Sequence, residues 1–172
     1  MSLGVAKAAA LLFVAAIVQV TLFSSIRVAG GTPDLVLVTL VSFALLRGAI
    51  FGAAAGFGAG LVVDTAYLET LGVASLLLTL AGYWIGRYGE TTGRDRTHAP
   101  FLSVGVVTIL YAIGALVLHY MLGDPAPARR VLVDALPPAL LFNLLLTLPV
   151  YALCRRLLRP AGQLEPEVRL LG

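Results

Sequence analysis

A carboxylate ends a row of glycines in the stretch GAIFGAAAGFGAGLVVD, residues 48–64. Gly48, Gly52, Gly56 and Gly60 fall four apart, and the next step of four is Asp64; Gly58 lies off that register. An acid in so apolar a setting can contact a ligand, carry a proton, or act as an internal lock or tether through hydrogen bonds. The other residues able to do chemistry are scattered: Asp34, Asp134, Asn143, Tyr111, His98, His119 and Cys154. A lone cysteine permits no internal disulfide and no Cys-based metal site. The two histidines lack zinc-motif spacing. No GxxxxGK[ST] phosphate loop occurs, and no nucleophile–base pair stands out. The expectation is no catalytic residue, no cofactor and no metal.

The elements that must position these residues are set by composition. Of 172 residues, 59% are hydrophobic and 12% charged. Soluble domains are roughly 45–50% apolar and about 25% charged, so the chain reads as an all-α, polytopic integral membrane protein. The net charge of +3 does not point to nucleic acid, because the charges sit between apolar runs and form no basic patch. A spanning helix needs about 20 apolar residues. Six runs are marked: 3–24, 33–46, 49–67, 70–87, 100–122 and 131–153. The second is short for a span. Together they predict one transmembrane domain over 1–159 and a short cytoplasmic tail over 160–172. A cleaved signal peptide is the lesser reading of the first run, which is longer than a signal core and is followed by further spans.

With the N-terminus inside, Lys7, Arg47, Arg87, Arg94, Arg96, Arg155, Arg156, Arg159 and Arg169 are cytoplasmic, and Arg27, Arg129 and Arg130 are outside. That asymmetry predicts six spans with both termini in the cytoplasm.

Residues four apart share one ridge of a helix. Gly48, Gly52, Gly56 and Gly60 therefore form a groove without side chains, and small-xxx-small ridges let membrane helices touch through their backbones. Gly82 and Gly86 repeat the device in the fourth span, and Ala6 and Ala10 do so weakly in the first. The common use of such a ridge is packing within the chain. The sharper one is docking of a partner's helix or a second copy.

Asp64 lies roughly 24 Å beyond Gly48 at 1.5 Å per residue, so it should face protein and find a hydrogen-bond partner. Thr32-Pro33-Asp34 reads as a helix start, with Thr at the N-cap, Pro at the first helical position and a carboxylate on the helix dipole. Arg47 ends the same helix, where a cation suits the dipole and fixes topology. Asp134 can cap the sixth span in the same way. Pro137, Pro138 and Pro149 interrupt that span, and Asn143 between them can bond the freed backbone or reach another helix. Tyr111, His119 and Tyr120 read as interfacial anchors.

Three stretches resemble the rod shape-determining protein MreD family of bacterial inner-membrane proteins. They are TPDLVLVTLVSFALLRG (32–48), GFGAGLVVDTAYLETLGVASLLLTLAGYWIGRY (56–88), and a last helix carrying Asn143 and Pro149. The likeness covers nearly the whole chain, departing at Ala66-Tyr67-Leu68-Glu69, where the family has a smaller segment. The resemblance implies a non-enzymatic scaffold of the cell-elongation and peptidoglycan-synthesis machinery. The implied partners are MreC, a bitopic protein with a periplasmic domain, and the complex of RodA with a class B penicillin-binding protein. MreB would be an indirect partner and a homodimer is possible. It also implies a bundle similar to the S-components of ECF vitamin transporters. Two rivals stand beside it. One is the substrate-binding component of an ECF-type transporter, with Asp64, Asn143, Tyr111 and Asp134 converging on a ligand. The other is a membrane enzyme, which lacks a catalytic constellation.

Overall fold

The computed structural model describes residues 2–23, 31–68, 70–92, 98–123 and 127–158. Gly30, Arg27, Arg94, Arg96, Arg159, Arg169 and the predicted tail lie outside the described residues, as do the side chains of Ala6 and Lys7.

The described residues form six helices and no strand: α1 (Ser2–Val18), α2 (Leu35–Arg47), α3 (Ala49–Tyr67), α4 (Val73–Thr92), α5 (Ala99–Met121) and α6 (Leu136–Leu158). A π-helical turn, Gln19–Phe23, extends α1, and another, Arg130–Ala135, precedes α6. Ala49–Tyr67, Ala99–Met121 and Arg130–Leu157 are long and apolar enough to cross a membrane. The chain is an all-α membrane protein.

The short second run explains the architecture. At 13 residues α2 is about 20 Å long, against a hydrocarbon core of about 30 Å. It cannot cross alone. Instead it is the axis of the bundle: every residue from Val36 to Leu45 is buried, as befits a helix that is hydrophobic all round. One side of α2, through Val36, Leu40 and Phe43, packs with Leu12 and Ala16 of α1, Val63 of α3 and Leu78 of α4. Another side, through Leu37, Val41 and Ala44, packs with Ile85 of α4 and Val104 and Val107 of α5. Large apolar side chains elsewhere point outward, among them Trp84, Leu102 and Leu145, each about 60% exposed, which suits a surface solvated by lipid tails.

α2 begins at Asp34, not Thr32. Asp34 is the N-cap, and its carboxylate accepts the N–H of Leu37 at 2.9 Å. Thr32 and Pro33 precede the helix, and the residue before the first helical position is the one whose side chain reaches the second and third N–H groups. The prolines of the last run are absorbed differently. Pro137 and Pro138 follow directly on the π-helical turn, a local adjustment that accommodates missing N–H donors in membrane helices. Pro149 lies inside a helix that continues to Leu158.

Candidate functional site

The glycine row is covered by α4. A Cβ at Gly52 would run into the Gly82 carbonyl, one at Gly56 into the Leu78 carbonyl, and one at Gly60 into the Ser75 backbone. The reciprocal holds for Gly82 against Gly52, and for Gly86 against Gly48 and Ala49. Gly52 also lets Ala44 of α2 approach, with its methyl 2.8 Å from where a Cβ would stand. Thus α3 and α4 are antiparallel and in backbone contact over about three turns. Gly48 is a special case. It joins α2 to α3 at φ +97°, a conformation that excludes most side chains.

A carboxylate clasps each end of this pair. Asp64, in the last turn of α3, has no exposed surface. Its Oδ2 accepts the N–H of Gly72 at 2.8 Å and that of Ser75 at 3.4 Å, and its Oδ1 accepts the N–H of Ala74 at 3.0 Å. These are the orphan donors at the start of α4, which every helix must satisfy. At the other end Glu90, in the last turn of α4, accepts the N–H of Ala49 at 2.9 Å, the first residue of α3. Arg87 lies 3.5 Å from the second Glu90 oxygen. Each helix of the pair therefore caps the other. Arg47, at this same end, is exposed and stacks over Phe51 at 5.8 Å.

The first turn of α2 gathers a second polar cluster. The N–H of Asp34 donates to Asn143 Oδ1 of α6 at 2.8 Å, and the N–H of Val36 donates to Gln19 Oε1 at 2.8 Å. Asn143 Nδ2 donates to Thr108 Oγ1 of α5 at 3.1 Å. Side chains from three other helices thus hold the α2 terminus. They also line a cavity of about 670 Å³ with Tyr111, His119 and Tyr67. Of the four residues set together by the transport reading, Asn143 and Tyr111 line this cavity. Asp64 is spent on α4, and Asp134 is exposed on the π-helical turn and caps nothing. Tyr111 and His119, read as interfacial anchors, both line the cavity.

A third feature is a lateral groove of about 940 Å³ between α1 and α3. Its walls are apolar and largely small: Ala9, Ala10 and Phe13 on one side, Ala54, Gly58 and Ile50 on the other, with Arg47 and Glu90 at one end. A Cβ at Gly58 would have nothing within 4 Å. Ala54 and Gly58 are four apart, so α3 carries a second small-residue ridge that no helix covers among the described residues. Also among the described residues, no three of His, Cys, Asp and Glu come together.

Sequence reasoning passed over Glu90, Gln19, Thr108 and the open side of Gly58. Glu90 had a signal: Gly82, Gly86 and Glu90 repeat the pattern of glycines ending in a carboxylate.

Comparison with curated proteins returned no match, and neither did comparison with solved structures. The family model described as rod shape-determining protein MreD matches residues 3–160. With that match spanning all six helices, the chain belongs to the rod shape-determining protein MreD family.

Proposed function

We propose that the chain is a non-enzymatic scaffold of the bacterial cell-elongation machinery, and that its lateral groove holds the single membrane-spanning helix of MreC. Membership of the family carries the role in rod-shape determination. The observation that supports the docking site is the division of α3 into two small-residue ridges. One is filled by α4. The other, Ala54 and Gly58, stands open beside α1. Helices associate in lipid by close packing at such ridges, and a bitopic partner offers one helix to fit. The wider complex would include RodA and a class B penicillin-binding protein, with MreB acting indirectly. The excess of basic residues at the Arg47 and Arg155 end favours a cytoplasmic position for that end and for both termini.

The test is co-purification with MreC from the native membrane. Gly58→Leu and Ala54→Leu fill the groove without touching α4, so both should fold and both should lose MreC. A second copy of the chain in place of MreC would assign the groove to a homodimer. Wild-type MreC recovery with both variants would overturn the docking site.

A further inference from the structure

The polar cavity at the head of α2 carries an inference of its own. It shares no lining residue with the lateral groove. Asp34 stands about 20 Å along α2 from Arg47, so in a core of about 30 Å its carboxylate lies at membrane depth. An ionised group there costs roughly 2.5–3.5 kcal/mol at the bilayer centre and less toward the interface. The helix dipole returns only about 0.3–1 kcal/mol for an anion at a helix N-terminus. Capping does not need the charge either, since Asn serves at an N-cap as well as Asp does. Two neutral amides, Asn143 and Gln19, already satisfy the N–H groups of Asp34 and Val36. The carboxylate itself is met by the N–H groups of Leu37 and Val36 and by the Gln19 side chain, so among the described residues only neutral donors face it.

Among the described residues no other Asp, Glu, Lys or Arg lines this cavity, and His119 is the other titratable side chain besides the two tyrosines. Ala112, Ala115, Ala135 and Ala139 leave room in the walls. Intramembrane acids that face such cavities mark sites for ions and substrates, and apolar walls with a few convergent polar groups describe small-molecule sites generally. Both π-helical turns contribute to the lining, through Gln19 and through Val131 and Ala135. Such turns occur frequently at functional sites.

We infer that this cavity binds a primary ammonium group carried on an apolar body, with the ammonium against Asp34 and Asn143 and the body against Leu37, Ala112 and Leu116. Two sources present that chemistry: a free organic amine, and the aminoethyl headgroup of a phospholipid.

The probe is phenethylamine, with 2-phenylethanol as its neutral counterpart. The intact protein is held in phosphatidylcholine nanodiscs, and unfolding is followed by the helical circular dichroism signal. At a tenfold excess over Kd the amine should raise the midpoint by roughly 3–6 °C, and the alcohol should not. Asp34→Asn keeps the cap and should abolish the response. Ala112→Phe, which fills the cavity, should abolish it too. If the natural occupant is a headgroup, phosphatidylethanolamine nanodiscs should raise the wild-type midpoint by themselves and leave the added amine no effect. If the occupant is a free amine, the response should persist in those discs. Equal shifts by amine and alcohol, an undiminished response in folded Asp34→Asn, or no shift in any nanodisc would overturn the site.

Discussion

Removing Asp64 tests whether the acid at the end of the glycine row is a lock or a functional group. In Asp64→Ala the N–H groups of Gly72, Ala74 and Ser75 lose their acceptor at a position with no solvent access. The bonds at 2.8 and 3.0 Å are charge-assisted and worth about 1.5–3 kcal/mol each. The third, at 3.4 Å, is weak. Against this, the variant no longer holds a charge out of water, which returns up to about 2.5 kcal/mol. The net loss is about 1–4 kcal/mol. For a chain of this size that lowers the unfolding midpoint by roughly 2–15 °C. Asp64→Asn keeps one acceptor oxygen and turns an NH2 toward the other donors, so it should fall between the two. Cys154 supplies the assay: it is the sole cysteine and is 2% exposed in the core, so a thiol-reactive fluorogenic dye labels it only on unfolding. Equal midpoints for Asp64→Ala and wild type would refute the lock. A stable Asp64→Asn that lost MreC would assign the charge a role in binding.

Three further outcomes follow from the same geometry. Gly56→Ala and Gly58→Ala should act in opposite directions. The first drives a Cβ into the Leu78 carbonyl and should cost about 1–3 kcal/mol, whereas the second meets open space and should gain about 0.5–1 kcal/mol from helix propensity; thermal unfolding ranks them. Asn143→Leu leaves the N–H of Asp34 without its acceptor and Thr108 without its donor. It should lower stability by about 2–4 kcal/mol, since stranded buried donors and acceptors cost about 1–3 kcal/mol each, and the Cys154 assay measures it. Glu90→Ala should cost about 1 kcal/mol as a lost cap, with faster hydrogen exchange confined to the first turn of α3.

The helices were legible because their apolar runs are long and bounded by Gly, Pro and Arg. The glycine ridge was legible as a close-packing surface, since a step of four defines a helix face without knowledge of the partner. Which helix would fill it was not. That depended on Gly82 and Gly86 running antiparallel in register with Gly52 and Gly48, a relation between two segments that neither segment states alone. The roles of the polar residues were hidden for a related reason. Asp64 bonds backbone groups eight to eleven residues on, and Asn143 bonds a backbone group 109 residues back. Backbone donors leave no mark in the sequence, so a search for partner side chains looked past them. α2 shows the same blindness. Its length was read as a span too short for the bilayer, whereas burial on every side removes any need to match the bilayer.

Helix shortness also accounts for where the polar groups are. A helix that ends at the membrane surface leaves its terminal N–H groups to water or headgroups. One that starts at membrane depth must be capped by protein, because an unsatisfied N–H there costs several kcal/mol. A 13-residue α2 meets this need with its own Asp34, with Gln19 beyond α1 and with Asn143 of α6. Once they have converged, the space above the helix end has a few polar groups on otherwise apolar walls, and no helix fills it among the described residues. The cavity is thus a consequence of a 13-residue axis in a bundle of longer helices. Lengthening α2 by a turn would fill the cavity, and bulky residues on α3 would close the lateral groove. Both openings persist because small or missing residues keep them. On the face of α3 where closure serves the fold, glycine brings α4 into contact. On the face where Gly58 stands open, it leaves a surface that no helix covers among the described residues.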